Sequence, residues 1–477
     1  MKMKTVATFI LLASVWLGIA RADRPNILII MTDDMRFDQM AHMGHPYIQT
    51  PNLDRLAAEG MRFTQAYASS PLCGPSRMSI FSAQLPPVHR RIDNAFYPDD
   101  YAVYLPMDFK QQGYRTALIG KYYEGKQFEK KVRDSVWDFW FKNGGPDFST
   151  YTGSTAKERT DFYREHLYYD QEYEVGHETM VIKGHQTDIL FDQASQFTAR
   201  YMEQPFFAFV SPFAPHLPFN PSKRRLGKYT GKGIPKADNL EFGVGYMKPA
   251  RTASMTEVYE RTCEMIEDVD EGVGRLLQAL ETSGQLDHTV IIFTSDNGVM
   301  FGEHGFGWKR HPWQESVKVP LLIRYPNQVK AGTVCDVPVT LADLLPTCAE
   351  LTDVALEEDA NRYGKSLVPL LTGRKTTVRD ATLLLQYNNG VEAKEDLLSE
   401  DLEWVALVDS RGWKLIRYRT HPPENMRPDY GDTFLFNLNA DPLEMKNLAS
   451  SHPEIVMELK KKLAAELADG NAKADWL

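Results

Sequence analysis

Hydrophobic positions fall along this chain in two kinds of run. Nearly continuous apolar stretches occur at Asn26–Thr32, Thr116–Ile119, Phe206–Val210, Thr289–Thr294 and Val319–Arg324. All read as strands, and the first, apolar almost throughout, as one covered on both faces, the arrangement of a parallel sheet between helices. Between them, apolar residues recur at helical spacing: Met78, Phe81 and Leu85; Leu190, Ala194, Phe197 and Tyr201; then Tyr259, Cys263, Ile266, Val273, Leu277 and Leu280. The last of these helices opens on a capping box, Ser254-Met255-Thr256-Glu257, and stops at Gly284.

Past residue 375 the pattern changes to alternation. Trp404–Val408 and Trp413–Tyr418 flank Asp409-Ser410-Arg411-Gly412 as an antiparallel hairpin, Thr433–Leu438 adds a strand, and a final helix carries Val456, Leu459, Leu463 and Leu467 on one side. The expected fold class is α/β: a large mixed, mostly parallel sheet sandwiched by helices, with a smaller C-terminal α+β subdomain built on an antiparallel sheet. The expected boundaries are 23–374 for the main domain and 375–477 for the subdomain. Residues 1–22 precede both as an export signal: Lys2 and Lys4, the apolar Val6–Ile19, and the small-residue pattern Ala20-Arg21-Ala22. No later stretch is apolar for long enough to anchor the chain in a bilayer. These features predict a periplasmic or secreted protein in a bacterium, and a lysosomal or extracellular one in a eukaryote.

A net charge of −10 over 477 residues argues against nucleic acid as a partner. It leaves room for a local cationic cluster. Of the four cysteines, Cys263 falls on the buried stripe of a helix, and Cys335 with Cys348 is the nearest pair for a disulfide, free buried thiols being equally open.

The chemistry gathers at predicted strand ends, where ligands sit in sheets of this kind. Asp33-Asp34 closes the first strand; adjacent carboxylates there either bind a cation or cap the next helix. In Pro71-Leu72-Cys73-Gly74-Pro75-Ser76-Arg77, Cys73 and Arg77 share one face of a helical turn, and the helix N-terminus adds unpaired N–H groups for an anion. A structural cysteine beside a surface arginine is the plainer alternative. Lys121 follows Gly120 at a strand end, His216 lies between prolines after another, and Ser295-Asp296-Asn297-Gly298 supplies a carboxylate and an amide oxygen, or merely a turn. Gly302-Glu303-His304-Gly305 and Lys309-Arg310 come next.

Cys73-Gly74-Pro75-Ser76-Arg77 resembles the signature of the formylglycine-dependent sulfatases, a family related in fold to alkaline phosphatase. Asp33-Asp34, Gly120-Lys121, Ala214-Pro215-His216, Ser295 to Gly298, Lys309 and the Asp441-Pro442 tail occur in the family's order over essentially the whole mature chain. The resemblance implies an alkaline-phosphatase-like fold, Cys73 converted to formylglycine by a formylglycine-generating or sulfatase-maturating enzyme, and one Ca2+ ion on Asp33, Asp34, Cys73, Asp296 and Asn297. It implies catalytic roles for Cys73, Arg77, Lys121, His216 and Lys309; His304 and Arg310 are candidates to line the sugar pocket, with an ordinary loop role the open alternative. Two departures stand out: Ser82-Ala83-Gln84 replaces a Thr-Gly-Arg common in the family, and Tyr122, Tyr123 and Glu124 follow Lys121 where many members place a histidine. That second lack resembles the N-acetylglucosamine-6-sulfatase branch and points to a sulfated carbohydrate, a glycosaminoglycan or another polysaccharide fragment. Tyr168, Tyr169 and Tyr173, in a weakly periodic insertion near 130–180, are candidates to stack on a sugar ring.

The chemistry supports the modification. A thiol that took the sulfuryl group would have no internal way to release it. A hydrated aldehyde has two hydroxyls: one attacks sulfur and displaces the alcohol, and the second is then deprotonated and expels sulfate as the carbonyl reforms. Phosphodiester or phosphonate hydrolysis is the alternative activity, and a non-catalytic binder of sulfated glycans the alternative without one.

Overall fold

The computed structural model describes residues 24–94, 98, 101–122, 124–146, 158, 162, 166–241, 254–387, 403–419 and 432–470. The expected export signal and Tyr123 lie outside them. Ten strands form one sheet in the order Thr333–Cys335, Met61–Phe63, Leu321–Arg324, Thr289–Ser295, Asn26–Thr32, Phe206–Ser211, Arg115–Gly120, Phe139–Pro146, Tyr169–Val175 and Glu178–His185. The five central strands, from Thr289–Ser295 across to Phe139–Pro146, run parallel. The Asn26–Thr32 strand sits in the middle with every residue buried.

Its alternation shows why the run is apolar throughout. Ile27, Ile29 and Met31 pack with Met78, Phe81 and Leu344 on one face, while Leu28 and Ile30 join Leu190, Phe191, Ile266 and Val269 on the other. The second face is covered by the helices Gln186–Arg200 and Met255–Thr282, the latter capped by Ser254, whose side chain accepts the Glu257 N–H. The first face carries the helix Cys73–Ser82, all of it buried.

Two expectations change here, and one left open is decided. The helix begun at Cys73 ends at Ser82, because Ala83 turns left-handed (φ 56°); Leu85 is buried beyond it, against the C-terminal helix. The insertion near 130–180 is not irregular: within its described part a helix, Lys126–Ser135, and the antiparallel strands Tyr169–Val175 and Glu178–His185 extend the main sheet at its edge. Lastly, Cys335 and Cys348 are both free and buried, so no disulfide joins them.

The four strands Ala381–Gln386, Trp404–Asp409, Trp413–Tyr418 and Thr433–Asn437 make the expected antiparallel sheet. Trp404, Ala406, Ile416 and Phe434 on one face pack with Tyr67 and Trp313 of the larger body. On the other face, Val405, Leu407 and Leu415 meet Leu459, Leu463 and Leu467 of the helix Pro453–Asp469. Among the described residues, no helix is long and apolar enough to cross a membrane.

Candidate active site

The parallel strands deliver their polar ends to one rim. Asp33 and Asp34 follow Thr32, Lys121 follows Gly120, Ser211 ends its strand, and Asp296 follows Ser295. Because neighbouring parallel strands share register, these residues converge although they are far apart in sequence. Gly120 is required for this: its φ is +109°, and a Cβ there would lie 2.1 Å from the Ser211 carbonyl oxygen.

The helix starting at Cys73 points its N-terminus at the rim. Cys73 Sγ stands 3.2 Å from Asp33 Oδ1, 3.8 Å from Asp34 Oδ1 and 2.8 Å from Lys309 Nζ. Arg77, one turn later, donates from Nε to Asp296 Oδ2 at 2.8 Å and from Nη1 to Ser211 Oγ at 2.7 Å. Lys121 pairs with Asp33, and Lys309 with Asp34 at 2.7 Å. His216 Nε2 lies 3.7 Å from Asp34 Oδ2. All of the expected nucleophile, cation and carboxylate positions therefore meet in one cluster, buried except for the partly exposed His216 and Lys309.

The His304 ring stacks on Trp313 at 4.2 Å and its Nε2 is 3.4 Å from Asn239 Nδ2. The Arg310 backbone binds Pro71 and accepts the Trp404 indole N–H. Tyr168 and Tyr173 are fully buried, and Tyr169 donates to the Pro221 carbonyl, so burial removes the first two as sugar platforms.

Three contributors were not apparent from the sequence. The Tyr168 hydroxyl donates to the His216 carbonyl at 2.6 Å and so fixes that loop. Phe213 holds Lys121 Nζ 4.7 Å over its ring and meets His216 edge-on at 5.6 Å. Ser211, already noted beneath Arg77, sits at a strand end like Asp33 and Asp296, a position that could have revealed it.

Electrostatics follow from burial and mutual pairing. Burial alone would raise the Asp33 and Asp34 carboxyls, but Lys121, His216 and Arg77 around the first, and Lys309 with His216 around the second, hold both below the usual range. Burial, reinforced by Asp296 and Asp33, pushes the Cys73 thiol up. Burial pulls His216 below the ordinary imidazole value despite the nearby carboxylates. Lys309 goes the other way, raised by Asp34 and Cys73 against the effect of burial.

Asp33, Asp34, Cys73 and Asp296 each bring a ligand atom within 4.8 Å of one another. Asn297 lies beside them, its Nδ2 donating to Asp34 Oδ1 at 2.6 Å, while its buried Oδ1 has no hydrogen-bond partner. Buried carboxylates with an orphaned amide oxygen suit a hard divalent cation. The donor set thus fits Ca2+.

A sulfatase family model matches residues 25–354, and a model described as the C-terminal part of N-sulphoglucosamine sulphohydrolase matches residues 302–469. An N-acetylglucosamine-6-O-sulfatase of Bacteroides thetaiotaomicron is 28% identical over 89% of this chain and 82% of that protein. An ulvan-active sulfatase of Formosa agariphila is 27% identical over 95% and 83%. Among solved structures, one bound to its substrate D-glucosamine-2-N,6-O-disulfate superposes with a TM-score of 0.78 at 25% identity, covering 95% of this chain and 100% of the other.

Proposed function

The chain belongs to the sulfatase family, whose members hydrolyse sulfuric esters, and from that premise we propose that it removes sulfate from a sulfated carbohydrate through a formylglycine made from Cys73 and one Ca2+ ion. The observation that carries this reading is the position of Cys73 Sγ, 3.2 Å from Asp33 and 2.8 Å from Lys309 at the mouth of a helix. A nucleophile there faces fixed positive charge and the helix N-terminus, which an anionic ester requires.

Asp33, Asp34, Asp296 and Asn297 would hold the ion, and conversion of Cys73 would turn the fifth ligand from sulfur to oxygen, giving the all-oxygen set that Ca2+ prefers. When bound, the ion supplies Lewis-acid polarisation of the sulfate and of the nucleophile. Lys121 and Lys309 are placed to neutralise charge developing on the sulfate oxygens. Arg77 is anchored by Asp296 and Ser211 through Nε and Nη1, while its buried Nη2 has no hydrogen-bond partner and is free to meet a sulfate oxygen. His216, held by Tyr168, is the group to carry a proton at the ester or leaving oxygen.

The substrate reading draws on the amino-sugar sulfates named for the relatives, D-glucosamine-2-N,6-O-disulfate above all. Export, suggested by residues 1–22, would place the enzyme where such glycans are met. Cys73→Ala is expected to keep the fold and to lose sulfate release from sulfated glucosamines by at least about a thousandfold, as removal of a nucleophile does. Release at the wild-type rate by that variant would overturn the assignment.

A further inference from the structure

Resting on the saccharide reading above, we propose that the cavity beside the catalytic cluster is an extended binding site for a second anionic group, carried by a sugar next to the one that loses its sulfate. The cavity has a volume of about 770 Å³ and is lined by Lys121 and Phe213 from the cluster and by Lys126, Lys130 and Arg133 from the helix Lys126–Ser135. That size lies toward the upper end of the range for small-molecule sites, enough for more than one pyranose ring. Phe213 marks the junction, because its ring touches both Lys121 and His216.

The three outer cations fall at i, i+4 and i+7, so they form one stripe facing the cavity while Phe128 and Val132 bury the other side of the helix. None of them is committed to the core. Lys130 and Arg133 share the exposed Asp134 at 2.7 and 3.3 Å, and Lys126 makes no ion pair among the described residues. Exposed pairs of this kind contribute little and give way to a better anion. Lys142 is different: Glu129 at 2.6 Å and Glu174 at 3.7 Å already neutralise it. On the opposite wall, Glu174, Glu178 and Thr179 offer oxygens to sugar hydroxyls. The lining also carries Glu124, Glu129, Glu174 and Glu178, and Lys121 and Lys142 are already ion-paired, so the positive charge left for a ligand is the Lys126, Lys130 and Arg133 stripe, which a neutral neighbouring sugar would leave unused.

The test is a Lys126→Gln, Lys130→Gln, Arg133→Gln triple variant, whose replacements are good helix formers at exposed and half-buried positions. Steady-state sulfate release is measured on glucosamine 6-sulfate and on a heparin-derived tetrasaccharide. The proposal predicts that KM for the tetrasaccharide rises about tenfold or more, the sum of three modest surface contacts, while KM for the monosaccharide and kcat for both stay unchanged. Unchanged KM on the tetrasaccharide, or an equal rise on both probes, would overturn the extended site and leave the proposed activity standing. Release from neither probe by the unaltered enzyme would instead overturn the saccharide reading beneath it.

Discussion

Cys73 and Arg77 look like a single anion site in the sequence, but their side chains divide the work. Cys73 faces Asp33, Asp34 and Lys309, whereas Arg77 turns to Asp296, Ser211 and the Lys121 carbonyl. A guanidinium can satisfy a carboxylate and a hydroxyl at once in fixed directions, and an ammonium on a flexible stem cannot hold both with the same geometry. Arg77→Lys is therefore expected to lower kcat by about a hundredfold, the scale seen when one preorganised electrostatic contact is lost, with circular dichroism unchanged. Activity within a few-fold of wild type would show that the Asp296 contact does not matter. Asp33, Asp34, Lys121, His216, Asp296 and Lys309 were legible because each follows a buried strand or a short motif. Tyr168 was not, since its role is a hydrogen bond to a backbone carbonyl 48 residues away and no local pattern encodes that partner.

Among the elements, the buried strands were read correctly because a parallel strand between two helical layers must be apolar on both faces. The Cys73 helix was misjudged at its end. It is buried all round, so the stripe used to extend it to Leu85 carried no information about where the backbone would turn. The edge strands Tyr169–Val175 and Glu178–His185 escaped detection for the opposite reason. Most of the second strand is exposed, so no apolar alternation marks it. The C-terminal helix was the clearest element, with Leu459, Leu463 and Leu467 all fully buried against the four-stranded sheet. Leu463→Ala is expected to destabilise the protein by about 2–5 kcal/mol through the cavity it leaves. Equilibrium denaturation should show the loss while sulfate release per folded molecule is retained. A stability change under about 0.5 kcal/mol, typical of surface substitutions, would mean that this helix is not anchored to the sheet as described.

For the whole molecule, the cluster is a balance of three buried carboxylates, Asp33, Asp34 and Asp296, against Arg77, Lys121 and Lys309. An ion binding only the folded state adds stability by mass action, on the order of 2.7 kcal/mol at a hundred times its Kd. Treatment with a calcium chelator should accordingly lower both sulfate release and the thermal midpoint, and added Ca2+ should restore both. No change in the midpoint would argue that these donors hold no structural ion. The fold brings distant strand ends together whatever the state of Cys73, so the geometry alone does not perform the modification. Its occurrence is the central claim. The most direct measurement is the mass of the peptide spanning Cys73, taken from active protein made in its native host. The account predicts replacement of the sulfur and two hydrogens by one oxygen, the signature of an aldehyde at that position. An intact thiol in protein that releases sulfate at full rate would contradict it.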